Sequence, residues 1–262
     1  MTLKYEMIPE NGMFRIKSLK DFGDVKKGDL GGLIEKESNL SQKGDCWVYE
    51  DAMIHGNAVV YENARVYENA RIFGDALVSG NARIFGNAII YENAVVYENA
   101  VVYENARVYG NTRVYEYACV FGDALVSGDA RVYGNARVCG NARVCGNTRV
   151  YGDARILGDA LVSGDARIFG DALVYGDARL SGNTRVSGDA IITKTPFSAT
   201  RTDEYTFILV KCLDGKFRII AGCRYFTFEE AYNHWGNKRQ GSDLQKETFE
   251  ILKYLKECIK LM

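Results

Sequence analysis

From Gly44 to Thr193 the chain repeats a six-residue unit 25 times without interruption. A representative unit is Gly128-Asp129-Ala130-Arg131-Val132-Tyr133. Position one is Gly in 18 units and Glu in 7. Position two is Asn or Asp in 24, with Tyr117 the exception, and position five is Val or Ile in 24, with Leu180 the exception. Position three is Ala in 21, the others being Cys46, Thr112, Thr148 and Thr184. Each unit reads as one short strand and one corner. The β-branched residue at five points inward, and positions four and six flank it and point outward. Ala at three suits a crowded interior corner. Asn or Asp at two, often after Gly, is expected to supply the positive φ that the corner needs. Three units close one triangular coil, so residues 18 apart stack as parallel strands about 4.8 Å apart. The result is a little over eight coils, in a prism roughly 40 Å long.

That repeat accounts for an odd composition: 27 Gly but only 2 Pro in 262 residues. Most of the glycines are corners and the backbone is paired nearly everywhere. With 47% apolar and 26% charged residues, the chain is not compositionally disordered. Its net charge of -1 hides unlike parts. The repeat carries 13 Arg, no Lys and 18 acidic residues, while the flanks are slightly basic. Near-neutrality argues against a generally basic nucleic-acid binder, yet leaves local patches open. Seven scattered Cys are no secreted disulfide framework. The charged start predicts no signal peptide, and no apolar run is long enough for a membrane span. The expectation is a cytoplasmic protein without membrane contact.

The Gly-Asn/Asp-Ala-Arg-Val-Tyr repeat resembles the left-handed β-helix of hexapeptide-repeat proteins. Among these it is most similar to repeat proteins of bacteria, phages and prophages that are often labelled as transferases or polymer-forming proteins. The resemblance extends to Lys20–Gly32, Ser38–Ser41 and Cys46–Tyr49 at the N-terminal side, the last of these inside the first repeat unit, and to Ala221–Cys223 and Thr227–Glu230 at the C-terminal side. It implies the handedness of the coil, which hexad spacing alone does not fix, and it hardly constrains function.

The ends read as caps, because open strand edges would template aggregation. Residues 1–43 begin with a hairpin, Lys4–Ile8 and Met13–Ser18 around Pro9-Glu10-Asn11-Gly12, followed by degenerate coils. Residues 44–193 are the β-helix. Residues 194–262 read as a ββαα lid: strands Tyr205–Leu213 and Lys216–Phe226 around Asp214-Gly215, then two helices opened by Thr227-Phe228-Glu229-Glu230 and Ser242-Asp243-Leu244-Gln245. The fold class is therefore an all-β solenoid with an N-terminal cap and a small C-terminal domain.

Acyltransferases that share this coil use a His general base near a subunit junction, with the acyl donor along the prism. This chain offers only His55 and His234, and no loop interrupts the repeat. A γ-class carbonic anhydrase would need three His. Cys139 with Cys145, and Cys212 with Cys223, suggest packing thiols rather than a metal or redox centre; pairing around Asp214-Gly215 sets Cys212 against Phe217 and Cys223 against Thr206. No catalytic residue, cofactor or metal is predicted.

Sorting outward residues by face gives more. One face stacks Arg113, Arg131, Arg149, Arg167 and Arg185, flanked by Tyr97, Tyr115, Tyr133, Tyr151 and Phe169. Guanidinium groups this close repel. Either corner carboxylates such as Asp129, Asp153, Asp165 and Asp171 neutralise them, or an anionic ligand does, a nucleotide or nucleic acid among them. A second face lines up Trp47, Tyr49, Tyr67, Phe85, Tyr103 and Phe121, a strip expected to join copies into a homo-oligomer. The resulting expectation is a non-enzymatic rigid scaffold, phage-encoded, that engages a host or phage protein through the ladder of Arg113, Arg131, Arg149, Arg167, Arg185, Tyr115, Tyr133 and Tyr151 and through the lid, with Lys238 and Arg239. The alternatives are an acyl- or nucleotidyl-type transferase and a self-assembling structural protein.

Overall fold

A computed structural model describes residues 3–238 and 240–262. It is a parallel β-solenoid built from two-residue rungs. Each unit contributes one rung at positions four and five, for example Arg131–Val132, and the next rung on that face lies 18 residues on, at Arg149–Val150. Three sheets result, holding nine, nine and eight parallel rungs. The coil therefore completes about nine turns, against a little over eight from the uninterrupted repeat, because Leu30–Ile34 pairs in parallel with Met53–Ile54 and Leu40 bridges in parallel to Val60. Backbone hydrogen bonds run up the prism: the Arg131 amide donates to the Thr148 carbonyl at 2.8 Å, and the Tyr133 amide to the Val150 carbonyl at 2.9 Å.

The inward assignment holds throughout. Every position-five side chain of the repeat is at most 2% exposed, and the Ala residues at position three are fully buried. Thr112 and Thr148 are also fully buried at that position, and each hydroxyl donates 2.6 Å to the carbonyl three residues earlier. This tolerates a polar atom inside the corner.

The corner geometry differs from expectation. The positive φ lies at position one, not at the Asn or Asp of position two: Gly134 has φ 72° and the seven Glu have φ between 53° and 60°. The coils stack too tightly at this point for most side chains. A Cβ on Gly134 would stand 2.8 Å from the Gly152 amide nitrogen. At three of the seven Glu positions, Glu50, Glu62 and Glu98, the carboxylate reaches along the prism to the amide one coil on, as in Glu62 Oε2 accepting from the Gly80 amide at 2.6 Å. The position-two residues serve the stacking instead. Their side-chain amides donate to the equivalent residue one coil on, Asn111 to Asp129 at 2.9 Å and Asn147 to Asp165 at 3.1 Å.

Both ends are closed by antiparallel strands. The hairpin Tyr5–Glu10 with Met13–Ser18 adds to one sheet next to Leu30–Ile34. At the other end, Thr206–Cys212 pairs antiparallel with the last rung, Ala190–Ile192. The lid has more strands than expected. Ser198–Thr200 adds beside Thr206–Cys212, and the stretch 216–226 breaks at Gly222-Cys223 into Phe217–Ala221 and Arg224–Phe226. The register around Asp214-Gly215 is one residue off the expected one, with Lys211 opposite Phe217 and Phe207 opposite Ala221. Helix α1, Phe228–Lys238, starts at the predicted box: the Thr227 hydroxyl accepts from the Glu230 amide and Glu230 returns a bond to the Thr227 amide at 2.8 Å. Helix α2, Asp243–Cys258, is capped by Ser242 and buries Thr248, Ile251, Leu252, Leu255 and Cys258. No helix among the described residues is long and apolar enough to cross a membrane.

Candidate functional site

The Arg ladder forms as its spacing demands. Arg113, Arg131, Arg149, Arg167 and Arg185 are direct partners on consecutive parallel rungs. Among the described residues, none of the five guanidinium groups makes a salt bridge within 4.0 Å. The corner carboxylates are engaged elsewhere: Asp129 and Asp165 accept from the Asn residues one coil back. A shallow groove nevertheless places Asp129 and Asp165 alongside Arg131, Arg149 and Arg167, so the guanidinium charge is offset at a distance rather than paired. Arg113 and Arg131 are exposed, whereas Arg149, Arg167 and Arg185 are half-buried, so shielding deepens toward the lid.

Beside the arginines the rings stack face to face. Tyr97–Tyr115, Tyr115–Tyr133, Tyr133–Tyr151 and Tyr151–Phe169 have centroids 4.9 to 5.0 Å apart and interplanar angles of at most 8°. Each inner ring therefore has both faces covered by its neighbours. Stacking of nucleic-acid bases, which needs a free aromatic face, is closed to all but the end rings. What the ladder offers outward is a row of phenol edges. Burial pushes the Tyr115 phenol up to about 12 and raises Tyr97 and Tyr133 as well. These hydroxyls stay protonated at neutral pH and can donate.

The ladder ends in a cleft of about 490 Å³ between the last coils and the lid. Arg167, Arg185 and Asp165 enter it from the repeat, and Glu204, Tyr205 and Cys223 from the lid. Glu204 sits at φ 64° in the turn before Thr206–Cys212, its amide donating to the Arg201 carbonyl at 2.8 Å. That turn is fastened by Arg201, 3% exposed, which is bidentate to Asp203 and donates to Thr248 of α2 at 2.8 Å. Two guanidinium groups, a carboxylate on a fixed turn and a phenol thus share one opening. Sequence reasoning named the two arginines, weighed Cys223 only as a packing thiol, and missed Glu204 and Tyr205 as site residues, since they lie outside the repeat and carry no motif.

Neither His lines this cleft. His55 stacks on Phe73 at 4.9 Å, the first ring of a ladder that continues through Tyr91 and Tyr109 on another face. The 18-residue spacing at position six was the available signal for this third ladder. His234 packs in the lid against Phe226 and Trp235, and burial, with Lys238 and Arg224 nearby, lowers its pKa. Arg239 lies outside the described residues.

The aromatic strip of the second face is only partly an outer surface. Trp47 is 1% exposed, enclosed by Tyr5 and Phe22 of the N-terminal cap, so it belongs to the core and not to a contact between copies. Tyr49 stacks on Tyr67 at 4.4 Å and donates to Asp24 of the cap. Phe85, Tyr103 and Phe121 stack in series and are half-buried.

Asp189, Cys212 and Asp214 bring ligand atoms within 4.8 Å of one another, a spacing that suits a metal ion. The Arg218 guanidinium already supplies positive charge there, 2.7 Å from Asp214 and 3.9 Å from Asp189. The Tyr225 hydroxyl links Asp189 at 2.5 Å and Cys212 at 2.7 Å. The donor set therefore closes on itself as a brace between lid and last coil.

Comparison with known proteins points the same way as the coils. The YdcK β-solenoid repeat model matches residues 82–98, 130–146, 136–152 and 166–182. A stretch of 40 residues, 15% of this chain, is 42% identical to the uncharacterized acetyltransferase YdcK of Escherichia coli (strain K12) and spans 12% of that relative's length. A solved UDP-N-acetylglucosamine acyltransferase is 16% identical, covering 57% of this chain and 71% of its own, with a TM-score of 0.34. The Arabidopsis UDP-N-acetylglucosamine acyltransferase is 10% identical over 87% of this chain and 95% of its own, with a TM-score of 0.37. These two likenesses are too distant to add to the assignment. The match to an acetyltransferase overturns the expected non-enzymatic scaffold, and a phage origin finds no support among these relatives. Taken with the stacked rungs, the matched repeats make the chain a repeat β-helix protein.

Proposed function

We propose that the protein is an acyl-group transferase that holds an anionic acyl donor along the Arg ladder and an acceptor in the cleft beneath the lid. The observation that carries this reading is a coincidence of position. Of the repeat segments that match the YdcK solenoid model, 130–146, 136–152 and 166–182 hold Arg131, Arg149 and Arg167, and Arg167 opens into the cleft. A donor such as an acyl-coenzyme A carries phosphates, for which half-buried guanidinium groups are suitable partners. Donating phenol edges beside them add hydrogen bonds without needing free ring faces.

In the cleft, Glu204 is the group suited to take a proton from an acceptor amine or hydroxyl as it attacks the acyl carbon. Arg185, beside it, would steady the oxyanion that forms. The usual His base has no counterpart there. The test is calorimetry with acetyl-coenzyme A, followed by thiol release in the presence of a panel of amine and hydroxyl acceptors. Saturable binding that weakens at least tenfold in Arg167→Gln is expected. Glu204→Gln should lower kcat while leaving donor binding in place. Absence of both binding and acceptor-dependent thiol release in the unaltered protein would sink the reading.

A further inference from the structure

The N-terminal cap holds an amine against a thiol in its interior. Lys4 is 1% exposed and Cys46 is fully buried. The Lys4 Nζ donates to the Cys46 carbonyl at 2.9 Å and the Gly44 carbonyl at 3.4 Å, and stands 3.1 Å from Cys46 Sγ. The ring of Phe22 lies 5.2 Å from the same nitrogen. No carboxylate is among its hydrogen-bond partners. A charged ammonium here is costly to bury, and burial pushes Lys4 down and the Cys46 thiol up. Cys46 is also the one Cys at position three, a place taken elsewhere by Ala or Thr. The thiol also faces the Ser41 carbonyl at 3.5 Å and the Lys43 carbonyl at 3.7 Å, so hydrogen bonds as well as apolar packing hold thiol and amine together.

We propose that Lys4 and Cys46 are a modification site, closed by peroxide into a covalent Nζ–O–Sγ bridge that latches the N-terminal segment to the first coil. The separation suits an inserted oxygen, which spans nearly the present gap. A direct S–N bond would pull Nζ away from both carbonyls. One peroxide oxidises the thiol to a sulfenic acid and leaves as water. A second oxidises the neutral amine to a hydroxylamine and also leaves as water. The hydroxylamine oxygen then bonds to the sulfenic sulfur, and the sulfenic hydroxyl departs with the N–OH proton as a third water. Sulfur and nitrogen each give up two electrons, and the two peroxides accept all four. A dithiol reductant reverses the sequence, returning amine, thiol and water. Closing the loop between residues 4 and 46 restricts the unfolded chain as a disulfide would.

The experiment treats the full chain with hydrogen peroxide and maps it by mass spectrometry after cleavage at acidic residues. The expected product joins the Lys4 and Cys46 peptides with one oxygen gained and two hydrogens lost, and dithiothreitol releases it. The thermal midpoint should rise by several degrees on oxidation and return on reduction. Cys46→Ala, which installs the residue common at this position, should abolish both the cross-link and the shift. Recovery of Cys46 as free thiol, as sulfinic or sulfonic acid, or bonded to Lys4 without oxygen would overturn the proposal. So would a midpoint shift of equal size in Cys46→Ala.

Discussion

Glu98 Oε2 accepts the backbone amide of Glu116, one coil further along, at 2.9 Å. Both residues stand in the left-handed region, at φ 59°. That conformation costs a residue with a Cβ about 1 kcal/mol or more, and the hydrogen bond returns about 0.5–1.5 kcal/mol. Glu98→Gly should therefore be close to neutral, since relief of strain offsets the lost bond. Glu98→Ala keeps the strain and loses the bond, and should cost about 1 kcal/mol. Urea unfolding of the two variants checks the order; Ala at least as stable as Gly would contradict it.

Gly134 and Gly12 separate conformation from crowding. Both have positive φ, 72° and 80°. A Cβ at Gly12 meets nothing within 4 Å, whereas one at Gly134 meets backbone of the next coil at 2.8 Å. Gly12→Ala should cost about 1 kcal/mol. Gly134→Ala must also push two coils apart, and should cost at least about 2–3 kcal/mol. Equal midpoints in denaturant would show that the coils flex apart freely.

Acid should loosen the lid in two separate windows. His234 has a folded pKa below its ordinary 6.5, chiefly through burial. The unfolded chain therefore takes up that proton first. The stability this group contributes is complete above 6.5, falls as pH drops below it, and levels off under the folded value. Glu230 is held low by the Thr227 amide and hydroxyl, so its contribution is lost only as pH falls below its ordinary 4.5. Midpoints measured against pH should lose the upper slope in His234→Gln and keep the lower one.

Along the ladder, position should matter. Arg185 enters the cleft and is half-buried, whereas Arg113 is exposed and four rungs away. Arg185→Gln should weaken acetyl-coenzyme A binding about tenfold or more, since charge pairing strengthens where water is excluded. Arg113→Gln should change it less than about threefold, and that small effect should vanish at high salt. Equal losses by calorimetry would place the donor along the whole face instead.

The fold was legible because every local preference in the hexad agrees. β-branched residues at five and Ala at three describe the interior without any long-range information. The corner was misread for a physical reason. Asn tolerates positive φ better than Glu does, so propensity favours position two in the Glu-Asn units. Stacking overrides it, since only at position one can Glu62 reach the Gly80 amide. Trp47 was misplaced because its position in the unit points outward, and only the cap, folding back with Tyr5 and Phe22, covers it. The cleft was invisible because it arises between Arg185 and Glu204, residues joined by the lid's route across the last coil rather than by any spacing in the chain.

Faces recur every 18 residues and corners every 6, and this sets a rule for how such a chain can change length. Excising residues 140–157 removes one whole turn, and every later side chain returns to its own face. The lid would still close over the arginine side of a shorter prism. Excising only 140–145 leaves the repeat just as regular but rotates everything beyond it by a third of a turn. The lid would turn together with Arg167 and Arg185 and keep its cleft, but Arg113 and Arg131 would fall on a different face and no longer continue the ladder that leads into it. A lineage that keeps one unbroken ladder running into its cleft can lengthen or shorten only in complete turns.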